Sequence, residues 1–234
     1  MMWALHRGIA RIRHDPLRSI MKKPARQILL VASLVLLAGI LALLVLKRPA
    51  TSDWASAPAE IQAMLWPGPR DVADFTLLDQ HGAAFDKSRL RGHWSLLYFG
   101  YLQCPDVCPT TLQSLGRLRT LMAESGAAAD IPQMIFVSVD PGNDTPQRIG
   151  PYLDFFDKEL IGLSGDAGQL ARLATSLGII YGEHIEPNGV RSMEHTTSVI
   201  VVDAEGRGVA ALAGSHQPRV LLRQFDALKA YLAR

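Results

Sequence analysis

Cysteine is scarce in this chain: Cys104 and Cys108 are the only two in 234 residues. With no third thiol, any disulfide within the chain is the Cys104–Cys108 bridge, which encloses three residues. A loop that short barely restricts the unfolded chain, so the bridge would add little stability. Two exported cysteines usually pair, and a pair that stabilises little points to redox or metal chemistry. A basic face is missing as well. Of 24 Lys+Arg and 22 Asp+Glu, nine cations and one acid fall in residues 1–48, which leaves 15 cations against 21 acids, a net of −6, for the rest. An acidic domain without a basic stripe excludes DNA or RNA binding. No internal repeat is found, which excludes a repeat array.

Charge is absent from one long stretch. Residues Ile28 to Leu46 are 19 uncharged positions rich in Leu, Val and Ala. At about 1.5 Å per residue a helix of that length covers roughly 28 Å, close to the hydrocarbon thickness of a bilayer. It is longer than a signal-peptide core, and it is apolar on every face, unlike a helix on a soluble domain. Arg7, Arg11, Arg13, Arg18, Lys22, Lys23 and Arg26 precede it against Asp15 alone. The reading is therefore a basic segment over 1–27 and a single transmembrane helix over 28–46. The N-terminus lies on the cytoplasmic side and the remainder is exported. Pro49, Pro58, Pro67 and Pro69 mark 47–70 as a linker. Residues 71–234 suit one domain.

Within that domain, Asp74–Leu78 and Ala83–Phe85 flank a turn and predict a hairpin. Trp94–Phe99 and Gln133–Val139 read as buried strands. Between them a helix is expected from about Pro109 to Glu124, with Leu112, Leu115, Leu118, Leu121 and Met122 on one stripe. Thr145-Pro146 starts another helix, to about Lys158, and a third covers roughly 167–177, ending at Gly178. A strand over 197–202, a turn at Asp203–Gly206, a return strand over 209–213 and a helix over 220–233 complete the chain. Strand–helix–strand crossovers with a late hairpin imply an α/β fold with a mixed sheet flanked by helices. Two close thiols after the first buried strand of such a layout fit a thioredoxin-like domain.

The pattern Cys104-Pro105-Asp106-Val107-Cys108-Pro109 puts one thiol at the end of a strand and one at the start of a helix. Four residues of helix separate Cα atoms by about 6 Å, a distance that serves a disulfide or two sulfurs on one ion. The helix start is expected to lower the thiol pKa values. Two soft thiolates with one imidazole suit Cu(I) and also Zn(II), and a set without a fourth ligand matches copper better than structural zinc. On local grounds His195, in Glu194-His195-Thr196-Thr197, is no more than a polar residue ahead of a strand. His81, His93, His184 and His216 read as solvated loop residues, and His6 and His14 lie before the span. Asp140 closes the second buried strand. That end of a parallel sheet carries ligand sites, so Asp140 is expected near the cysteines, either there or as a plain Asp-Pro turn.

Taken together these blocks resemble the Sco/SenC family of membrane-anchored copper chaperones. The resemblance rests on Tyr98-Phe99-Gly100-Tyr101 leading into Cys104–Leu112, on Val137–Pro141 with Asp144-Thr145-Pro146, on Ile161–Gly165, and on Met193–Ser198. It covers about residues 70–215. It implies a thioredoxin-like fold that binds one copper ion, with Cys104, Cys108 and His195 as metal ligands and Asp140 in an auxiliary role beside them. It further implies service to the binuclear copper site of cytochrome c oxidase subunit II, by copper delivery, by reduction of that subunit's cysteines, or both. The corresponding location is an inner membrane with the domain in the periplasm, or in the intermembrane space if the source is eukaryotic. Leu102 and Glu194 depart from the family's common Thr and Asp. The rival expectation is a thiol–disulfide oxidoreductase that uses the Cys104/Cys108 pair without metal.

Overall fold

A computed structural model of the chain describes residues 22–46, 54–187, 189–214 and 216–234, with side chains undescribed at 22–26 and 41–46. Positions 1–21 of the predicted basic segment, with His6 and His14, and positions 47–53 of the predicted linker lie outside the described residues. The chain runs α1 (Lys22–Leu46), α2 (Ala59–Gln62), β1 (Leu65–Asp71), β2 (Thr76–Asp79), β3 (Ala84–Asp86), β4 (Ser95–Gly100), α3 (Val107–Glu124), β5 (Gln133–Ser138), α4 (Pro146–Asp154), β6 (Ile161–Ser164), α5 (Ala167–Leu177), β7 (Tyr181–Ile185), β8 (Arg191–His195), β9 (Val199–Val202), β10 (Arg207–Leu212) and α6 (Pro218–Leu232). It divides into a unit over Met1–Thr51 and a compact domain over Ser52–Arg234. The first unit contains α1, which takes in the whole apolar run 28–46. Among the described residues no helix is long and apolar enough to cross a membrane.

The domain is built on an eight-stranded mixed sheet in the order β1-β10-β9-β4-β5-β6-β2-β3. At its centre β4 and β5 run parallel in register from Ser95↔Gln133 to Gly100↔Ser138. A second parallel pair joins β5 to β6, and β9 lies antiparallel on the other side of β4. Every residue of β4 is buried, as its apolar run requires for a strand covered on both faces. Four of the five stripe positions, Leu112, Leu115, Leu118 and Met122, are buried on α3, Leu121 is half-buried, and α3 packs beside α6.

Both predicted hairpin turns use the same device. Asp79 Oδ1 accepts the N–H groups of His81 and Ala83, and Asp203 Oδ1 accepts those of Glu205 and Arg207. Each turn closes on a glycine in the left-handed region, Gly82 at φ 80° and Gly206 at φ 78°, which only glycine enters without cost.

Three elements differ from the sequence reading. The linker does not reach 70: Ala57, Ile61, Met64 and Leu65 are buried in the core, and β1 pairs with β10. Pro67 and Pro69 suggest a linker, yet β1 is an edge strand, where a missing N–H costs no ladder bond. The four-residue β6 adds a strand between β5 and β2. The polar segment before Thr197 forms β7 and β8, a separate two-stranded sheet.

Candidate metal centre

The carboxyl ends of the parallel strands carry the cysteines. β4 ends at Gly100, the chain turns through Tyr101–Asp106, and α3 begins at Val107. Asp106 occupies the N-cap position but makes no side-chain capping bond. The sulfur of Cys104 takes that role: the N–H of Cys108 donates to it at 3.4 Å, which satisfies one of the open donors of the first turn. Cys108 is the second residue of α3 and fully buried, while Cys104 is 9% exposed at the rim.

Gly100 makes room for the inner sulfur. A Cβ at that position would stand 2.8 Å from Cys108 Sγ and 3.0 Å from Phe136 Cε2, so any side chain there displaces the thiol. Above it the Tyr98 hydroxyl donates to Cys108 Sγ at 3.6 Å. The expectation that the helix start would lower both thiols fails at Cys108. Burial, with a further push from Cys104, drives its pKa up to about 12. Desolvation of the charged form outweighs the local dipole at a fully buried position.

His195 arrives from β8. Its Nδ1 lies 3.1 Å from the carbonyl oxygen of Thr196. A carbonyl can only accept, so Nδ1 carries the hydrogen and Nε2 keeps its lone pair. That lone pair faces Cys108 Sγ at 3.6 Å. The rings of Tyr98 and Tyr101 stand edge-on to the imidazole, each at 6.1 Å. Burial holds the His195 pKa below its usual 6.5, partly opposed by the Thr196 carbonyl. A neutral imidazole with a fixed tautomer is the form that ligates metal. Among the described residues Cys104, Cys108 and His195 form one group with metal-binding potential, and their ligand atoms all lie within 4.8 Å of one another. Two soft sulfurs and one oriented nitrogen fit a soft ion such as Cu(I).

Asp140 lies at the same end of the sheet, two residues past β5, but it stands outside the ligand group. Its buried carboxylate accepts a two-pronged bond from Arg191 on β8 and two bonds from Asn143 Nδ2. The Arg191 guanidinium holds that carboxyl below the usual carboxylate range. Asp144 is buried nearby. Its Oδ2 takes the Ser138 hydroxyl at 2.7 Å and the Leu102 N–H at 3.0 Å, which anchors the turn two residues before Cys104. Burial pushes the Asp144 carboxyl up.

Two local readings of histidines change. His184 lies within β7. His216 is packed rather than solvated: its Nδ1 is 3.0 Å from the Thr111 hydroxyl, and its ring stands edge-on to Tyr98 at 6.3 Å. Burial lowers its pKa too.

Two outcomes follow for the metal-free protein. Gly100→Ala should lower stability by about 1–3 kcal/mol through overpacking and should raise the reactivity of Cys108 toward a thiol reagent. Denaturant titration with thiol counting checks both, and wild-type values in each would contradict the packing. The second concerns pH. The folded pKa of His195 lies below its unfolded value of 6.5, so the unfolded chain takes up the proton first as pH falls. Stability supplied by neutral His195 is complete above pH 6.5 and drains away from there toward the folded pKa. His216 acts in the same sense. Unfolding free energy measured from pH 7.5 to 5 should therefore fall less steeply in His195→Asn than in wild type, and equal slopes would contradict the burial argument.

The comparisons agree with this geometry. The SCO1/SenC family profile matches residues 67–230. A protein of Stutzerimonas stutzeri named for copper binding is 34% identical over 148 residues, covering 63% of this chain and 71% of that protein. The copper-bound ScoI of Bradyrhizobium japonicum superposes with a TM-score of 0.60 at 35% identity, over 69% of this chain and 99% of that one. The copper-bound ScoI of Arabidopsis thaliana gives 0.62 at 27% identity, over 68% and 98%. A mixed thioredoxin-like sheet, two cysteines at the β4–α3 junction, an imidazole across from them and a profile match over most of the chain lead to one conclusion: this chain belongs to the SCO1/SenC family.

Proposed function

We propose that this protein is a membrane-anchored copper chaperone. It holds one Cu(I) through the thiolates of Cys104 and Cys108 and the Nε2 of His195. The observation that carries the reading is the Cys–Cys–His group, with ligand atoms within 4.8 Å, in a chain whose solved family relatives hold copper. The cargo is passed to the binuclear copper site of cytochrome c oxidase subunit II. Cys104 at the rim and half-buried His195 are the ligands an acceptor reaches first, whereas Cys108 lies beneath them. Transfer by ligand exchange therefore proceeds from the rim inward. The 19-residue run 28–46 within α1 serves as the single span, with residues 1–27 cytoplasmic and the domain periplasmic.

The same atoms support a redox role. The two thiols are unbridged in this structure. Cys104 attacks an acceptor's disulfide, a mixed disulfide forms, and Cys108 displaces the second acceptor thiol. Two electrons and two protons pass to the acceptor, and the Cys104–Cys108 bond forms. That bond removes both thiolates from the metal, so reduction of the partner and release of copper are coupled. A purely metal-free thiol–disulfide oxidoreductase is the second reading. It draws on the unbridged pair, but it leaves the oriented Nε2 of His195 without a task.

The test is copper stoichiometry and affinity of the reduced protein, loaded anaerobically with Cu(I) against a competing chelator. One tightly held copper per chain is expected. His195→Ala should lose affinity by more than the roughly 10–100-fold typical of residues that only support a ligand, with the dithiol still countable. Failure of reduced wild type to retain copper would shift the assignment to the oxidoreductase.

A further inference from the structure

His195 rides on a small hairpin that meets the body of the domain through half-buried Tyr181 and Met193. The β7–β8 hairpin shares no ladder with the eight-stranded sheet, and four of the five residues of β7 are exposed. At its base Thr196 and Ile180 bond to one another, the Thr196 N–H to the Ile180 carbonyl at 2.9 Å and the Ile180 N–H to the Thr196 hydroxyl at 3.0 Å. Beyond Tyr181 and Met193, which pack on the core, most of β7 faces solvent, and such an element opens more easily than the core strands. A ligand carried on it needs an additional tie to stay beside two sulfurs fixed in the core.

Arg191 supplies one. Residues 191, 193 and 195 alternate onto one face of β8, so its side chain emerges on the side of His195. Its Nη1 lies 2.8 Å from Asp140 Oδ2, and its Nη2 lies 3.1 Å from Asp140 Oδ1, a parallel fork on one carboxylate. Its Nε reaches Glu183 Oε2 on β7 at 2.9 Å, and Nη2 also donates to Met193 Sδ at 3.6 Å. One guanidinium thus staples both strands of the hairpin to a fixed point. That point is firm: the Asp140 side chain is 5% exposed, its N–H donates to Ser138 Oγ at 3.1 Å, and Asn143 Nδ2 donates to both of its oxygens. It lies just beyond the end of β5, and β5 pairs along its length with β4, the strand that leads to Cys104.

We propose that Arg191 is the positioning residue of the metal centre: by joining Asp140 to Glu183 it holds the β7–β8 hairpin against the end of β5 and keeps His195 Nε2 beside the two sulfurs. The consequence for copper rests on the chaperone reading above; the consequence for the hairpin does not. Lysine cannot replace it fully, because an ammonium offers no planar fork to a carboxylate.

The experiment uses the full-length chain, reduced, as wild type, Arg191→Ala, Arg191→Lys, His195→Ala and the Arg191→Ala/His195→Ala double variant. Two readouts are taken. In metal-free protein, amide hydrogen exchange at Met193 and Glu194 should accelerate by about tenfold or more in Arg191→Ala, with α3 and β4 amides unchanged. In Cu(I) competition, Arg191→Ala should lose about 10- to 100-fold in affinity, and Arg191→Lys should recover part of both effects. Because Arg191 acts through His195, adding Arg191→Ala to His195→Ala should cost little more than His195→Ala alone. Wild-type exchange or wild-type copper affinity in Arg191→Ala overturns the proposal. So does a full additional loss in the double variant, which would mean that Arg191 acts on the cysteines or on the fold. A His195→Ala protein with undiminished affinity would instead refute the imidazole ligand of the chaperone reading, while hairpin exchange still decides the tie.

Discussion

One buried sulfur sets the terms for the rest of the site. Cys108 is fully enclosed, against a Gly100 that leaves no space for a β-carbon. Its polar company includes the Tyr98 hydroxyl, the Tyr101 backbone, the Cys104 side and the imidazole of His195. A thiol in that setting resists ionisation. It becomes a thiolate when something compensates the charge, and a soft cation bound between Cys104, Cys108 and His195 does so. The enclosure that keeps the metal-free thiol protonated therefore couples metal binding to proton release, since a bound cation compensates the charge that burial opposes.

The site has a rigid half and a carried half. Both sulfurs belong to the junction of a fully buried strand and a long helix, and Asp144 pins the Leu102 backbone just ahead of them. The imidazole comes from a small separate sheet, held to the body by Tyr181 and Met193 packed on the core and by the ion pair of Arg191 with Asp140. A carrier of metal benefits from this division. Two ligands define where the ion sits, and the third can be exchanged without disturbing the core. The fixed tautomer of His195 means that its lone pair is ready whenever the hairpin is in place.

Local pattern revealed the sulfur half and concealed the imidazole half. Strand β4 and the stripe of α3 could be read directly, because apolar runs and 3.6-residue spacing report burial in a continuous core. The β7–β8 hairpin carries Gly182, Glu183, His184, Arg191 and Glu194 and has no alternation to detect. Its tie to the domain spans 51 residues of sequence, from Asp140 to Arg191. Asp140 stands just past the end of β5, and its partner is a guanidinium that no local signal connects to it. His195 has the local sequence of any polar loop residue, and only the family resemblance marks it; the contact of His216 with Thr111 joins segments 105 residues apart, beyond the reach of local pattern. Strand β1 was hidden by its own prolines, which an edge strand tolerates.

The central claim is that one ion is held by two sulfurs and one imidazole nitrogen. X-ray absorption at the copper edge of the reduced, Cu(I)-loaded protein tests it most directly. A three-coordinate copper is expected, with a first shell that fits two sulfurs and one imidazole nitrogen and with the outer-ring scattering of histidine. A shell of sulfur alone, or of nitrogen and oxygen alone, would contradict it.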